Sequence, residues 1–222
     1  MKKGGLDLML WKEDVPELEK LILKDGIITP CRYDDLRNFT TNQIGNVMNK
    51  YGLYTFPTIE VIEFLKNIVQ DQVAIEIGAG TGWIGRSLGI PITDSKLQAR
   101  EEIYTMYQSI QQPVIQYPKD VEELDAEAAL AKYHPEVVIG SYVTHKWRQG
   151  MKTGSMYGVN FSKILNNCRY LVLLGNLSTH YENPIMKLAH KTVKLEGLIS
   201  RGDTSQARAF IWERKFFKRR EP

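Results

Sequence analysis

The sequence has 222 residues, of which 43% are hydrophobic and 25% charged, enough for the core of one α/β domain with a modest extension. This composition argues against disorder of the whole chain, and no apolar run approaches the roughly 20 residues that a membrane-spanning helix needs. The net charge is only +3. The two cysteines lie too far apart in sequence for a redox or zinc motif and are too few for a disulfide framework. We therefore expect a reduced, cytoplasmic protein without membrane attachment.

Positive charge is concentrated at the C-terminus. Residues 214–222 hold five cations and one carboxylate, so the rest of the chain is close to neutral. We place the boundary of a basic tail at residue 216, where Phe216 and Phe217 lie among the cations. Such a tail could bind a nucleic acid or an acidic partner, or it could be a solvated chain end.

Residues 1–70 are predicted to form an N-terminal helical extension that contributes to acceptor binding. The first helix begins at Pro16 and ends at Gly26, a second covers about residues 33–50, and a third begins near Pro57. The third helix carries a broad apolar stripe, which requires a partner surface.

From residue 71 to residue 215, short apolar runs alternate with helical segments. The runs at 73–77, 90–94, 121–125, 137–143 and 170–174 are predicted to be parallel strands in right-handed β-α-β units. The runs at 193–199 and 207–213 are separated only by a turn, so they should pair antiparallel. The prediction is an α/β core with a seven-stranded, mostly parallel sheet, helices on both faces and a C-terminal antiparallel hairpin.

The first predicted strand ends in the segment Glu76-Ile-Gly78-Ala-Gly80-Thr-Gly82. Glycines permit positive φ angles and a close approach of a ligand to the backbone, and the following helix N-terminus favours negative groups. The spacing G-x-G-x-G differs from the G-x-G-x-x-G of dinucleotide-binding turns. A purely structural tight turn is the alternative interpretation.

Two carboxylates follow the next two strands. Asp94 ends the second strand, where its two oxygens could accept both hydroxyls of a ribose, or it could cap a helix that starts at Ser95. Asp125 follows the third strand and is a candidate N-cap of the next helix.

Over residues 72–213, the order and spacing of these features resemble the core of class I S-adenosylmethionine-dependent methyltransferases. The segments that carry the resemblance are EIGAGTG, ITDS, VEELDA and PEVVIGSYV. It implies a Rossmann-like fold, S-adenosylmethionine as cofactor, and transfer of its methyl group to an unidentified small molecule, protein or RNA. The implied cofactor site consists of Glu76, which orders the turn, the contacts Gly78, Ala79, Gly80, Thr81 and Gly82, Asp94 at the ribose, Asp125 with Ala126 at the adenine, and Gly140 with Ser141 beside the methyl group.

The acceptor is less clearly indicated. Enzymes that methylate base amines usually carry an Asn/Asp/Ser-Pro-Pro-aromatic turn after the fourth strand, whereas this chain has Ser141-Tyr142-Val143-Thr144. Carbon-5 cytosine enzymes use a Pro-Cys nucleophile after that strand, but Cys31 lies in the extension, and we interpret it as a buried small residue.

Tyr142 and His145 follow the fourth strand and are weak catalytic candidates, His145 as a general base or else as a solvent-facing loop histidine. His180 and Tyr181, after the fifth strand, are similar candidates. In the extension, Tyr54 and Phe56 could form an acceptor-binding wall, or they could fix the entry to the third helix. The scattered histidines and cysteines predict no metal site.

Two other functions compete with methyl transfer. The chain could be a noncatalytic binding module that keeps the fold and acts through its extension or basic tail, or it could be a nicotinamide-dependent oxidoreductase. The sequence leaves the oligomeric state open.

Overall fold

The computed structural model describes residues 13–109, 113–147, 149–151 and 154–214. The first 12 residues of the predicted extension and the basic tail at 216–222 therefore lie outside the described residues. None of the helices in the described part of the chain combines the length and the apolar character needed to span a membrane.

The described part of the extension, residues 13–70, contains three α-helices, one 3-10 helix and a small hairpin. Its elements are α1 (Pro16–Ile22), β1 (Leu23–Lys24), β2 (Ile27–Ile28), a 3-10 helix (Tyr33–Asn38), α2 (Thr41–Lys50) and α3 (Ile59–Val69). The second predicted helix is thus divided, because Thr40 caps α2 in a capping box with Gln43.

The predicted end of the first helix at Gly26 is wrong. Helix α1 ends at Ile22, and Leu23 pairs with Ile28 in an antiparallel hairpin. Asp25 and Gly26 form its two-residue turn with φ of 52° and 75°. Two consecutive positive φ angles are what a tight hairpin turn requires, so this glycine serves a turn and not a helix end.

The prediction of the core fold is confirmed. Its strands are β3 (Ala74–Ile77), β4 (Ile92–Asp94), β5 (Glu122–Glu123), β6 (Val137–Ser141), β7 (Tyr170–Asn176), β8 (Lys191–Val193) and β9 (Ala207–Glu213), in the spatial order β5-β4-β3-β6-β7-β9-β8. The first five pair in parallel, and β9 lies antiparallel between β7 and β8. The connecting helices are α4 (Trp83–Leu88), α5 (Glu101–Ser109), α6 (Ala126–Tyr133), α7 (Phe161–Asn167) and α8 (Leu177–His180).

The predicted strand at 193–199 is displaced. Strand β8 ends at Val193, and the apolar residues after it belong to the connection to β9. Leu198 and Ile199 are buried there against the extension, where Ile199 O accepts a hydrogen bond of 2.9 Å from the backbone N–H of Phe56. The apolar run at 193–199 therefore reflects burial against the extension and not a continuous strand.

Helices cover both faces of the sheet. Along β6, Val137 and Ile139 pack in one hydrophobic cluster with α1 to α4, whereas Val138 packs in a second cluster with α6 and α7. This alternation is the two-residue period of a strand buried on both faces. The boundary near residue 70 therefore separates the extension from the core in sequence, but the two share one hydrophobic cluster.

Candidate functional site

A cavity of about 570 Å³ opens at the carboxyl ends of β3, β4, β5 and β6. It lies where the strand order changes direction between β3 and β6, the usual ligand site of an open α/β sheet, and its volume is typical of small-molecule sites. Its walls come from the glycine turn, from the segments after β4, β5 and β6, from residues 155–160 and from residues 52–55 of the extension.

Glu76 ties α4, the helix that follows the glycine turn, to strand β3. Its side chain is 1% exposed, and Oε2 accepts a hydrogen bond of 2.7 Å from the backbone N–H of Gly85 in α4. Burial raises the pKa of Glu76 to about 8, and the nearby charge of Asp94 acts in the same direction. Its hydrogen bond fixes the helix after the turn, and its implied role of ordering the turn itself stays a prediction.

The glycines of the turn have positive φ, but they do not all face the cavity. Gly78, Gly80 and Gly82 have φ of 56°, 56° and 69°. A Cβ on Gly82 would lie 2.9 Å from Ile92 Cγ2, and one on Gly140 would lie 3.0 Å from Val143 Cγ2. Neither Gly82 nor Gly140 lines the cavity, so both are needed for packing inside the protein.

Gly78 and Gly80 do line the cavity with their backbone, together with Ala79 and Thr81. The space that a Cβ would take is already in contact with protein: Val143 Cγ2 is 2.8 Å from that position on Gly78, and Ile115 Cδ1 is 3.2 Å from that position on Gly80. Both neighbours line the cavity themselves. A close approach of a ligand to the backbone was expected at these glycines, whereas they allow two apolar side chains to approach.

Asp94 lines the cavity and is 7% exposed. Its Oδ2 accepts from the backbone N–H of Gly80 at 2.9 Å and its Oδ1 from that of Lys96 at 2.8 Å. Burial raises the pKa of Asp94, although these donors and the adjacent Tyr117 hydroxyl oppose the shift. Each carboxylate oxygen has a second lone pair, so Asp94 can hold the turn and still accept from a ligand.

The alternative of Asp94 as the cap of a helix starting at Ser95 is wrong. The residues after it form an Asx turn closed at Lys96 and a short 3-10 helix, and α5 begins only at Glu101. The carboxylate therefore remains at the cavity.

Asp125 is the N-cap of α6, because its Oδ1 accepts from the backbone N–H of Ala128 at 2.8 Å. That interpretation is confirmed. Asp125 and Ala126 also line the cavity, beyond Asp94 in the direction of β5. A capping side chain still presents its second oxygen, so the implied adenine contact stays a prediction.

Asp125→Asn separates the two roles. Asparagine caps a helix as well as aspartate, so we expect the free energy of unfolding to change by less than about 0.5 kcal/mol. For S-adenosylmethionine as the implied ligand, the expected change is about a tenfold loss of affinity, because the amide turned toward the ligand donates where the carboxylate would accept. Urea unfolding and calorimetry measure the two effects, and unchanged affinity would leave Asp125 with a capping role alone.

On the opposite wall, the extension meets the end of β6. Thr55 Oγ1 and Ser141 Oγ share a hydrogen bond of 2.8 Å. The rings of Tyr54 and Tyr142 stack with centroids 5.9 Å apart, and Tyr142 also meets His180 edge-on at 5.7 Å. Tyr54, Thr55, Ser141 and Tyr142 all line the cavity, so this wall is shared between the extension and the core.

Phe56 is a core residue and not part of the acceptor wall. It is 0% exposed, belongs to the cluster under the extension and does not line the cavity. Its backbone bond to Ile199 fixes the chain just before α3. Phe56 therefore fixes the entry to α3, which was the alternative interpretation of this segment, whereas Tyr54 faces the cavity.

The histidine candidates lie away from the cavity. His145 is 8% exposed and stacks on Phe161 at 5.8 Å, because residues 155–159 pair beside it and cover it. Both expectations for His145, at the crevice and in solvent, are therefore wrong. His180 is 1% exposed, and burial lowers its pKa. Tyr181 is 67% exposed, which leaves Tyr142 as the candidate at the cavity.

Several residues that line the cavity were not predicted from the sequence. Ile115 and Tyr117 belong to an irregular segment after α5, and residues 155–160 fold back over the cavity from the loop after β6. These segments have no hydrophobic period, so the sequence contains no signal that would bring them to the site. Their aromatic content, in Tyr117 and Tyr157, was the one available hint.

No metal centre is formed by the described residues, in which no group of three His, Cys, Asp or Glu side chains could hold an ion. Cys31 is buried with Sγ 3.8 Å from Pro57 O, and burial raises the pKa of its thiol to about 12. The interpretation of Cys31 as a buried small residue is confirmed.

No family model matches the sequence, and no curated protein matches it. Among solved structures, a crystal structure of a protein from Thermoplasma acidophilum is similar over 81% of this chain and 92% of that chain, at 11% identity and with a TM-score of 0.34. A likeness this weak carries no argument about function.

Proposed function

We propose that this chain transfers a methyl group from S-adenosylmethionine to an acceptor. The observation that carries the proposal is the buried Asp94 carboxylate, which closes the glycine turn and faces the cavity at the carboxyl end of β4. A parallel sheet that finishes in an antiparallel hairpin supports it, since this arrangement separates methyltransferase sheets from those of most nucleotide-binding dehydrogenases.

The residues that line the cavity suit the chemistry of S-adenosylmethionine and follow one another in the order of its adenine, ribose and methionine parts. Asp94 offers lone pairs to the ribose hydroxyls, Asp125 and Ala126 lie where the adenine would follow, and the backbone at 78–81 would run along the methionine part. The bound cofactor would supply an electrophilic methyl group on a sulfonium. The acceptor would then lie against Ser141 and Tyr142.

The protein contributes position more than proton transfer. Burial raises the pKa of Tyr142, so its hydroxyl stays protonated at neutral pH and does not act as a base. The Tyr142 ring is held in place by two contacts: it stacks with the ring of Tyr54 and meets the ring of His180 edge-on. Orientation of two reactants in a closed site can supply a large part of a rate enhancement without a catalytic dyad.

Calorimetry with S-adenosylmethionine and with NADH tests the proposal. We expect the native protein to bind the first and not the second. Gly80→Val should abolish binding, because the side chain would strain a φ of 56° and push on Ile115 at the cavity. Gly89→Val is the matched control, since Gly89 has a φ of 69° but faces open space outside the cavity.

Failure of the native protein to bind S-adenosylmethionine would refute the proposal, and binding of NADH would favour an oxidoreductase. Incubation of cell extract with the protein and methyl-labelled cofactor addresses transfer itself. Cofactor binding without any labelled product would favour the noncatalytic module.

A further inference from the structure

Thr55 brings a hydroxyl from the extension to the wall of the cavity. It is 1% exposed and lines the cavity. Its Oγ1 lies 2.8 Å from Ser141 Oγ at the carboxyl end of β6, and the two atoms share a hydrogen bond. The hydroxyl of Ser141 is therefore paired with a side chain from outside the α/β core.

Backbone hydrogen bonds fix the chain on both sides of Thr55. The backbone N–H of Phe56 donates to Ile199 O at 2.9 Å. On the other side, the backbone N–H of Arg201 donates to Tyr54 O at 3.0 Å. The connection between β8 and β9 thus holds this segment in place, and a hydroxyl that is already positioned loses little further freedom when a ligand binds.

The hydroxyl pair retains most of its hydrogen-bonding capacity. Each hydroxyl has one hydrogen and two lone pairs. The bond between Thr55 and Ser141 uses one hydrogen and one lone pair, so one hydrogen and three lone pairs stay available. The pair accepts more hydrogen bonds than it donates, so it suits a ligand group that carries N–H.

The wall shared by the extension and β6 contains two tyrosines and two aliphatic hydroxyls, but no carboxylate or imidazole. His145 and His180 are buried and do not line the cavity. The carboxylates that line it belong to β3 or follow β4 and β5, on the side proposed for the cofactor; they are Glu76, Asp94, Asp125 and Glu127. This wall suits a nucleophile that needs no base before it attacks.

Two cations also line the cavity, Arg100 just before α5 and Lys146 after β6. Both residues are exposed. Their side chains offer hydrogen-bond donors and no acceptor, so they do not supply the missing base. A neutral amine meets the requirement of the wall, because its nitrogen lone pair is free to attack.

We infer that the hydroxyls of Thr55 and Ser141 receive the attacking nitrogen of the methyl acceptor, and that this nitrogen is a neutral amine that carries N–H. The inference rests on the proposed function, because it places the transferred methyl group beside Ser141. The nitrogen lone pair forms the new N–C bond while the S–C bond breaks, and the sulfur keeps that electron pair in S-adenosylhomocysteine. The methylated nitrogen then releases a proton to water at the margin of the cavity, where Met156 is 70% exposed.

Sinefungin tests the hydroxyl pair directly, because this analogue of S-adenosylmethionine carries an amino group in place of the methyl sulfonium. We expect calorimetry to show that the native protein binds sinefungin about tenfold or more tightly than S-adenosylhomocysteine, which has no group there. Thr55→Val keeps the shape of the side chain without its hydroxyl and leaves Ser141 unpaired. This variant should bring the ratio close to one and leave affinity for S-adenosylhomocysteine unchanged, whereas Thr55→Ser should keep the native ratio.

Thr192→Val, at an exposed residue of β8 outside the cavity, is the matched control and should keep the native ratio. If Thr55→Val does not fold, Ser141→Ala removes the other hydroxyl and should lower the ratio in the same way. A native ratio in these variants would overturn the inference, and so would an equal loss of affinity for both compounds, since Thr55 would then only support the wall. If the native protein binds neither compound, the proposed function fails and the inference fails with it.

The product formed from methyl-labelled cofactor in cell extract tests the class of acceptor. We expect mass spectrometry to locate the transferred methyl group on nitrogen. A methyl group on oxygen, sulfur or carbon would overturn the amine assignment, even if the native protein binds S-adenosylmethionine and the proposed function holds.

Discussion

Asp94→Asn is expected to weaken S-adenosylmethionine binding about 100-fold. The ionised carboxylate would accept both ribose hydroxyls, and hydrogen bonds to a charged group contribute about 1.5–3 kcal/mol each. The amide keeps one acceptor oxygen and turns a donor toward either the ligand or the backbone. A 100-fold loss of affinity corresponds to a loss of about 2.7 kcal/mol in binding free energy, which calorimetry measures.

The same variant should also be less stable. In the native protein, the two carboxylate oxygens accept from the N–H groups of Gly80 and Lys96, and asparagine can satisfy only one of them. We expect the free energy of unfolding to fall by about 1–3 kcal/mol, so binding has to be measured well below the unfolding temperature. Asp71→Asn, at an exposed residue between α3 and β3, removes the same charge and should change neither quantity. An Asp94→Asn affinity within about threefold of native would exclude the ribose contact.

Glu76→Gln is expected to change how stability depends on pH. Burial raises the pKa of Glu76 to about 8 from an ordinary value of 4.5. Between these values the folded state keeps a proton that the unfolded state has released, so the free energy of unfolding decreases as the pH rises. The slope is about 1.4 kcal/mol per pH unit, on the order of 3 kcal/mol between pH 5.5 and pH 8.

Glutamine cannot ionise, and its carbonyl oxygen can still accept from the N–H of Gly85. The variant should therefore lack this part of the pH dependence and should be more stable than the native protein at pH 8. Urea unfolding at several pH values measures the effect, with Glu63→Gln on the exposed side of α3 as control. Parallel pH profiles for native protein and Glu76→Gln would show that the carboxyl titrates normally.

The central strands were predictable because burial on both faces leaves a continuous apolar run. Residues 137–141 and 170–174 are such runs, and both are central strands. The same logic failed at 193–199, where Leu198 and Ile199 are buried by the extension and not by a sheet. Hydrophobicity records burial, but it does not distinguish a strand from a loop packed beneath another layer.

The part of the site that follows strand ends was also predictable. Asp94 and Asp125 come directly after parallel strands, so the fold brings them to one edge. His145 could not be placed, because its burial depends on the returning residues 155–159. Ile115 and Tyr117 could not be placed either, since they lie in an irregular segment after α5 that has no hydrophobic period.

A crystal structure grown with S-adenosylhomocysteine tests the central claim most directly. The account predicts the product in the cavity at the ends of β3 to β6, with both ribose hydroxyls on Asp94 and the sulfur directed toward Ser141 and Tyr142. A ligand bound elsewhere, or a cavity without the ligand at saturating concentration, would contradict it.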